Sequence, residues 1–430
     1  MKKTDIPSIL HAVLAITLMA ASGSLPAPAP RSSPPSIAHE GDEADAIGAV
    51  MREYLRRVEA FGFAGAAAVE VDGRLVVSRG YGMADRARGI AVTDETPFYV
   101  ASVSKQFTAA AVLRLEMEGR LRTADTLGRF FPGAPPEMAR ITLHQLLTHT
   151  AGVGEITIGE GPADAEDFAR AVFALPPRFA PGTGFAYSNT GYALLAAVVQ
   201  RASGEAFGAY LHRALFAPAG MTRTAAVTHA DRLPGVRDAR AYRGGIDFGG
   251  ALRPEHTGAW SALGGTGVVT SVADLYRWER ALRDTAVLSA AAKAKLFAPE
   301  RERYAYGWVV APTRRGTTRV THDGLLFPHG WSAAFDRYAD EGVVVLAVSG
   351  TFEREGLAAP VSRDLARIAL GGSVALPPAP LAPRRARRRP AGAPAGRGGG
   401  PRSRRGRCGP GRARRARPAP RARRCRRRRG

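Results

Sequence analysis

Residues 98–113 read FYVASVSKQFTAAAVL and place Ser102 and Lys105 three positions apart at the start of an apolar, Ala-rich run. The run predicts a buried helix, and at this spacing the two side chains share one helical face. A serine hydroxyl becomes a good nucleophile when a neighbouring base accepts its proton, and a buried lysine with a lowered pKa can be that base. Five of the 61 basic residues are lysines, so a lysine here indicates chemistry rather than surface charge. The pattern Ser-x-x-Lys is short enough to occur by chance, so the motifs around it decide whether the pair is interpreted as catalytic.

The positive charge of the chain is concentrated near its C-terminus. The formal net charge is +23 over 430 residues, yet residues 376–430 contain 21 Arg and no Asp, Glu or Lys. The remainder carries +2, so we expect no nucleic-acid partner for the body of the protein. Cys408 and Cys425 are the two cysteines and lie in the same segment. The body therefore has no disulfide, Cys-based metal site or Cys nucleophile.

The N-terminal residues predict export. Two lysines precede an apolar run that ends in small residues by Gly23, which is the layout of a secretory signal. We predict a signal peptide at 1–23, a Pro-rich linker at 24–42 and a periplasmic or secreted location. One acidic residue and one histidine interrupt the apolar run, so a weak N-terminal membrane anchor is an alternative.

The C-terminal segment 376–430 contains mostly Arg, Pro, Ala and Gly, and it has almost nothing to bury. We predict a disordered tail. Such a tail could bind an anionic polymer or surface. The abrupt change in composition fits equally well a gene read in a shifted frame from this point.

Hydropathy patterns predict an α+β fold for the intervening domain, residues 43–375. Asp72-Gly73 is a two-residue hairpin signal between apolar runs, and helix candidates dominate the middle of the chain. Strand patterns return at Thr266–Thr270, Tyr306–Val310, Thr317–Thr321, Trp331–Arg337 and Val343–Val348, and a helix follows at about Glu353–Leu370. We therefore expect an antiparallel sheet flanked by N- and C-terminal helices, with an inserted, mostly helical subdomain.

Two later motifs carry further candidate site residues. Tyr187 and Asn189 stand two apart in the loop-forming stretch PGTGFAYSNTGY, and His322 and Gly324 stand two apart near a predicted strand end. Glycine at such a point lets a ligand approach the backbone. Asn189 could instead cap a helix that starts near the next residue. For His149 we expect a structural role, because a buried histidine more commonly bonds loop backbone.

Taken in order, Ser-x-x-Lys, Tyr-x-Asn and His-x-Gly resemble the serine β-lactamase and penicillin-binding protein superfamily. The resemblance covers about residues 45–370 and is greatest to the branch of class C β-lactamases, D,D-carboxypeptidases, D-aminopeptidases and related esterases. The segments Leu146–Gly152 and Gly264-Gly265 fit the same branch.

The resemblance implies acyl transfer from an acyl-enzyme on Ser102, without metal or cofactor. Lys105 and Tyr187 would share the base role, and the backbone amides of Ser102 and Leu325 would hold the oxyanion. Asn189, His322 and Gly324 would line the substrate site. The usual residue at the His322 position is a lysine that anchors a substrate carboxylate, whereas histidine is mostly neutral at pH 7. This difference weakens the case for a true β-lactamase.

The sequence thus predicts an exported serine hydrolase that acts on a peptide amide, ester or β-lactam bond. The substrate would be a small molecule or a peptidoglycan-like peptide. The alternative is a non-catalytic peptidoglycan or ligand sensor that keeps the penicillin-binding fold. The chain contains no Gly-x-Ser-x-Gly and no His-Glu-x-x-His, which excludes an α/β-hydrolase elbow and that zinc motif.

Overall fold

A six-stranded antiparallel sheet forms the centre of the computed structural model, which describes residues 40–253, 257–327, 329–351 and 357–378. Strands are numbered along the chain. In spatial order the sheet contains β10 (Val309–Pro312), β11 (Thr318–Leu326), β12 (Trp331–Tyr338), β13 (Val343–Ser349), β1 (Gly65–Val71) and β2 (Arg74–Tyr81). The first and last parts of the chain therefore meet at the β13–β1 pair, where Gly65 is opposite Ser349.

Both faces of the central strands β12, β13 and β1 are buried, and the two-residue period of a strand separates the two faces. On β1, Ala66 and Ala68 pack into the larger apolar core, whereas Ala67 and Val69 face the opposite core. That second core contains residues of α1 (Glu40–Ala60) and α11 (Ala358–Ala369). The N- and C-terminal helices thus cover one face of the sheet, as the sequence predicted.

The part of the chain between β2 and β10 is mainly helical. Its helices are α2 (Lys105–Met117), α3 (Leu127–Phe130), α4 (Pro136–Ala139), α5 (Leu143–Leu147), α6 (Ala165–Phe173), α7 (Asn189–Ser203), α8 (Phe207–Leu211), α9 (Val272–Arg283) and α10 (Ala290–Leu296). It also holds the short strands β3 (Met83–Asp85), β4 (Ile90–Ala91), β5 (Phe98–Tyr99), β6 (Ala225–Ala226), β7 (Arg240–Arg243), β8 (Ile246–Gly250) and β9 (Val268–Thr270). This arrangement confirms the α+β prediction with its helical insertion.

Among the boundaries that differ from the sequence prediction, three change how the chain is interpreted. Helix α1 begins at Glu40, inside the segment predicted to be linker. The strand predicted at Tyr306–Val310 begins only at Val309, because Gly307 adopts a left-handed φ of 77° in a turn that packs against the backbone of α2. Strand β11 continues to Leu326, so His322 lies within a strand rather than at its end.

Several predictions concern residues outside those that the structure describes. They are the signal peptide at 1–23, most of the linker and all but the first residues of the tail. Within the described ranges, no helix combines the length and apolarity needed to cross a membrane.

Candidate active site

Ser102 lies in a tight turn, Ala101–Ser104, that leads into α2. Ala101 begins this turn with a left-handed φ of 46°, a conformation that costs energy in a residue with a Cβ and often marks a functional site. Strand β9 holds the turn on both sides, because Val100 donates to the Val268 carbonyl at 3.1 Å and the Val268 amide donates to Ser104 Oγ at 3.0 Å. The Ser102 hydroxyl is therefore presented from a rigid backbone.

Lys105 is completely buried beside this hydroxyl. Its Nζ lies 2.7 Å from Asn189 Oδ1, 2.9 Å from the Gly265 carbonyl and 3.3 Å from Ser102 Oγ. Burial lowers the pKa of Lys105 well below its usual value, and the Glu155 carboxylate opposes that shift by raising it. A neutral amine has two N–H groups and one lone pair. The two carbonyl oxygens accept both N–H groups, so the lone pair is left for the Ser102 proton.

Tyr187 reaches the same hydroxyl from the loop before α7. Its phenol lies close enough to the Ser102 side chain for that hydroxyl to lower the pKa of the phenol, and its ring centroid lies 4.5 Å from Lys105 Nζ. Burial raises the pKa of Tyr187, whereas the hydrogen bond to Ser102 lowers it and Glu155 raises it again. The phenol is therefore protonated at neutral pH, and it can pass a proton between Ser102, Lys105 and a substrate atom. Residues that are far apart in the chain thus meet at one hydroxyl.

Asn189 belongs to the site rather than to the helix cap. The cap of α7 is Ser188, whose Oγ accepts the Gly191 amide at 2.8 Å. This leaves the Asn189 side chain to accept the hydrogen bond from Lys105.

The third motif forms a wall of the site through Gly324. A Cβ built on Gly324 would lie 2.1 Å from the Val100 carbonyl and 3.3 Å from the Ser102 nitrogen, so only glycine allows β11 to approach the Ala101–Ser104 turn this closely. The pairing of β10 with β11 ends at Thr321. Beyond Thr321, the edge of β11 is therefore not paired with β10. This unpaired part includes Leu325 and Leu326 and follows Gly324, which lies beside Ser102.

His322 is buried, and both of its ring nitrogens have partners within the protein. Nδ1 lies 2.7 Å from the Asp323 carbonyl, and Nε2 lies 3.0 Å from the Tyr304 hydroxyl. Since a carbonyl only accepts, Nδ1 carries the proton and Nε2 accepts from Tyr304. Burial, together with the nearby Lys105, lowers the pKa of His322 to about 3. In this conformation His322 offers neither a charge nor a free nitrogen to a substrate carboxylate, although the sequence placed it among the substrate-binding residues.

His149 bonds loop backbone, as the sequence predicted. Its Nδ1 accepts the Ser188 amide at 3.1 Å, and its ring packs 4.4 Å from both the Tyr187 and Tyr304 rings. Burial lowers the pKa of His149 well below its usual value. A neutral His149 therefore packs against the Tyr187 ring and helps to fix its position.

Sequence reasoning missed three groups of the site. They are Tyr304, the Gly265 carbonyl and Glu155. The glycine pair 264–265 was noted as a pattern, but a backbone carbonyl carries no side-chain signal. Tyr304 follows two residues in left-handed conformation, Glu302 and Arg303, in a stretch without regular periodicity. Within the described residues, no group of three or more metal-ligating side chains is present.

Comparison with known proteins places this geometry in a family. The family model described as Beta-lactamase matches residues 51–369. The chain is 32% identical over 248 residues to penicillin-binding protein 4 of Amycolatopsis lactamdurans, covering 53% of this chain and 63% of that protein. It is 34% identical over 197 residues to esterase EstB of Burkholderia gladioli, covering 41% and 49%. The chain thus spans less than two thirds of the length of the curated relatives it matches.

A solved structure of similar fold is the β-lactamase/D-alanine carboxypeptidase from Pseudomonas syringae. It superposes with a TM-score of 0.64 at 19% identity, and the match covers 77% of this chain and 100% of that chain. At this identity the likeness supports the fold alone.

Proposed function

Because this chain belongs to the β-lactamase family, we propose that it is an exported serine hydrolase that forms an acyl-enzyme on Ser102 and cleaves an amide or ester bond. The observation that carries the proposal is the environment of Lys105. Burial lowers the pKa of its amine well below the usual value, and two carbonyl oxygens are placed to accept both N–H groups of the neutral form, which directs the remaining lone pair toward Ser102 Oγ. This is the arrangement that a general base for a serine nucleophile requires.

The reaction begins when Ser102 Oγ attacks the substrate carbonyl carbon and its proton passes to Lys105. The carbonyl electrons move to the oxygen, and the backbone amides of Ser102 and Leu325 hold the resulting oxyanion. The approach of Gly324 to the Ser102 nitrogen supports this pairing of donors. The oxyanion then collapses and the bond to the leaving group breaks. The leaving group takes the proton from Lys105 through the Tyr187 hydroxyl, which contacts Ser102.

Deacylation reverses these roles. A water molecule attacks the acyl carbon and gives one proton to the Tyr187 hydroxyl, which at the same time passes its own proton to the neutral Lys105. The oxyanion then collapses, Ser102 Oγ leaves and takes back a proton from Lys105 through Tyr187, and the carboxylic acid product departs. Over the whole cycle the leaving group takes one proton and the water supplies one, and none of these steps uses a cofactor.

The internal bonding of His322 supports amide and ester substrates over β-lactams. A β-lactam carries a carboxylate, and binding it usually requires a permanent cation in this position. His322 is neutral and its nitrogens are occupied. We therefore propose a small amide or ester, or a peptidoglycan-like peptide, as substrate.

The test is a parallel screen of a p-nitrophenyl ester, D- and L-amino-acid amides and nitrocefin, with the wild-type protein and the Ser102→Ala variant. We expect turnover of an ester or amide by the wild type, weak or no turnover of nitrocefin, and no turnover by the variant. Saturable binding of cell-wall peptides without turnover of any substrate would instead indicate a ligand sensor. Faster hydrolysis of nitrocefin than of every ester and amide would overturn the substrate assignment.

A further inference from the structure

Glu155 is an exposed residue that is hydrogen-bonded to Thr190, the neighbour of Asn189. It lies close enough to the reacting groups that its charge acts on both Lys105 and Tyr187. It follows the Leu146–Gly152 segment and precedes a loop that runs across the start of α7. None of the catalytic steps described above uses it.

The position of Glu155 is fixed by a single residue, Thr190. Glu155 Oε2 accepts the Thr190 hydroxyl at 3.0 Å and the Thr190 amide at 3.3 Å. The same hydroxyl accepts the Ile156 amide at 2.8 Å, which also fixes the backbone of the loop. Thr190 is buried and directly follows Asn189, the partner of Lys105. The carboxylate is thus attached to the element that carries the site.

One oxygen of Glu155 remains available. Both hydrogen bonds that the described part of the chain makes to this carboxylate use Oε2, and none of them involves Oε1. Among the described residues, no Lys or Arg forms an ion pair with this carboxylate. An exposed, oriented and unpaired carboxylate is a favourable partner for a cationic ligand group.

The charges of the site favour a cationic substrate rather than an anionic one. Burial lowers the pKa of Lys105 well below its usual value and that of His322 to about 3, which disfavours the charged form of both side chains. Glu155 is a carboxylate, and its bonds to Thr190 attach it to the element that carries Asn189.

We propose that Glu155 determines specificity by binding the protonated amino group of an amino-acid amide or ester whose carbonyl is attacked by Ser102. This inference rests on the proposed function and names its substrate class. The ammonium donates to the free Oε1, and the acyl group lies between Glu155 and Ser102. Substrates whose amine is acylated lose this charge-assisted hydrogen bond.

The test compares alanine p-nitroanilide with its N-acetyl derivative, in both D and L forms, at pH 7, where a free α-amine is protonated. We expect the wild type to prefer the free amine. Glu155→Gln should lower kcat/KM for the free amine by about 10- to 100-fold, the range of one hydrogen bond to a charged group. The N-acetyl substrate should not show this loss, so the ratio of the two kcat/KM values should fall by the same factor, because any effect of the substitution on Lys105 is shared by both substrates. Glu160→Gln, an exposed acid in the same loop, is the matched control and should behave like the wild type.

A second measurement separates this inference from the proposed function. A fluorophosphonate carries no amine, so Glu155→Gln should still label Ser102, without the 10- to 100-fold loss expected for the free amine. Alanine amide should slow that labelling in the wild type and much less in the variant. Equal losses on both anilides, or a wild type that prefers the N-acetyl form, would overturn the role of Glu155 while leaving the hydrolase intact. Absence of Ser102 labelling in folded wild type would overturn both.

Discussion

Asn189 Oδ1 lies 2.7 Å from Lys105 Nζ, and the group that faces the amine is a neutral amide rather than a carboxylate. A carboxylate at this distance would stabilise the ammonium form and prevent Lys105 from accepting a proton. The amide satisfies an N–H group of the amine without adding charge. The low pKa of Lys105 therefore depends on burial together with neutral hydrogen-bond acceptors.

Asn189→Asp should move the activity to higher pH. The new carboxylate raises the pKa of Lys105, so a higher pH is needed to free its lone pair. We expect the midpoint of the acidic limb of kcat/KM for an uncharged ester to move to higher pH by about one to three pH units. The measurement is the pH profile of kcat/KM, and an unchanged acidic limb would argue against Lys105 as the base.

Glu155→Gln should shift the same limb in the opposite direction. The Glu155 charge raises the pKa of Lys105, so its removal lets the amine stay neutral at lower pH. The acidic limb of the kcat/KM profile for the same ester should therefore move to lower pH, with little change in kcat/KM on the plateau. A shift upward would contradict the sign of this interaction.

Tyr187→Phe should reduce activity without unfolding the protein. The ring that packs on Lys105 and His149 is retained, whereas the hydroxyl that contacts Ser102 is lost. We expect kcat/KM to fall by about 10²- to 10⁴-fold, the usual contribution of a general acid–base group.

Tyr54→Phe is the control for the loss of a phenol. Its hydroxyl donates to Asp364 at 2.9 Å between α1 and α11, on the far face of the sheet. This variant should lose about 1–3 kcal/mol of stability and keep its activity. Full activity in Tyr187→Phe would show that the Tyr187 hydroxyl takes no part in the reaction.

Gly324→Ala should disable the site through the backbone. The added Cβ would meet the Val100 carbonyl at 2.1 Å, so β11 must move away from Ser102. We expect an activity loss of at least about 10²-fold, as for loss of an oxyanion donor, and about 1–3 kcal/mol of lost stability. Gly133→Ala, where the Cβ meets nothing within 4 Å, should be neutral. Normal kinetics in Gly324→Ala would exclude this part of β11 as an oxyanion strand.

His322 should make the protein less stable in acid. Its pKa is about 3 in the folded protein and about 6.5 in an unfolded chain. The unfolded chain binds the extra proton between these values, so the free energy of unfolding falls as pH decreases from about 6.5 to about 3. The slope from this residue is at most about 1.4 kcal/mol per pH unit.

Denaturant unfolding at several pH values checks this prediction. His322→Asn should show a shallower loss of stability than the wild type over that range, because the titrating ring is gone. The exposed His212→Asn is the control and should retain the full slope. Equal slopes in His322→Asn and the wild type would show that the ring is not held neutral by burial.

The fold was predictable where hydrophobic periodicity is simple. The hairpin around Asp72-Gly73, the helix after Ser102 and the strand pair Trp331–Tyr338 and Val343–Ser349 all follow from local patterns. The start of β10 did not, because the turn at Gly307 is fixed by its packing against α2. That contact joins segments far apart in the chain, and no local pattern reports it.

The motif residues of the site were predictable, but their environment was not. Short motifs identified Ser102, Lys105, Tyr187 and Asn189 by residue type and order. The partners of His322 could not be read from the sequence, since Tyr304 has no motif and reaches the ring only through tertiary packing. The sequence therefore indicated a substrate-binding role where the structure shows an internal hydrogen-bond chain.

The most direct test of the central claim is peptide mapping by mass spectrometry after incubation with a fluorophosphonate. The account predicts one adduct, on Ser102, which forms rapidly in the wild type and far more slowly in a folded Lys105→Met variant. Folded wild-type protein that carries no adduct, or carries it on another serine, would contradict the account.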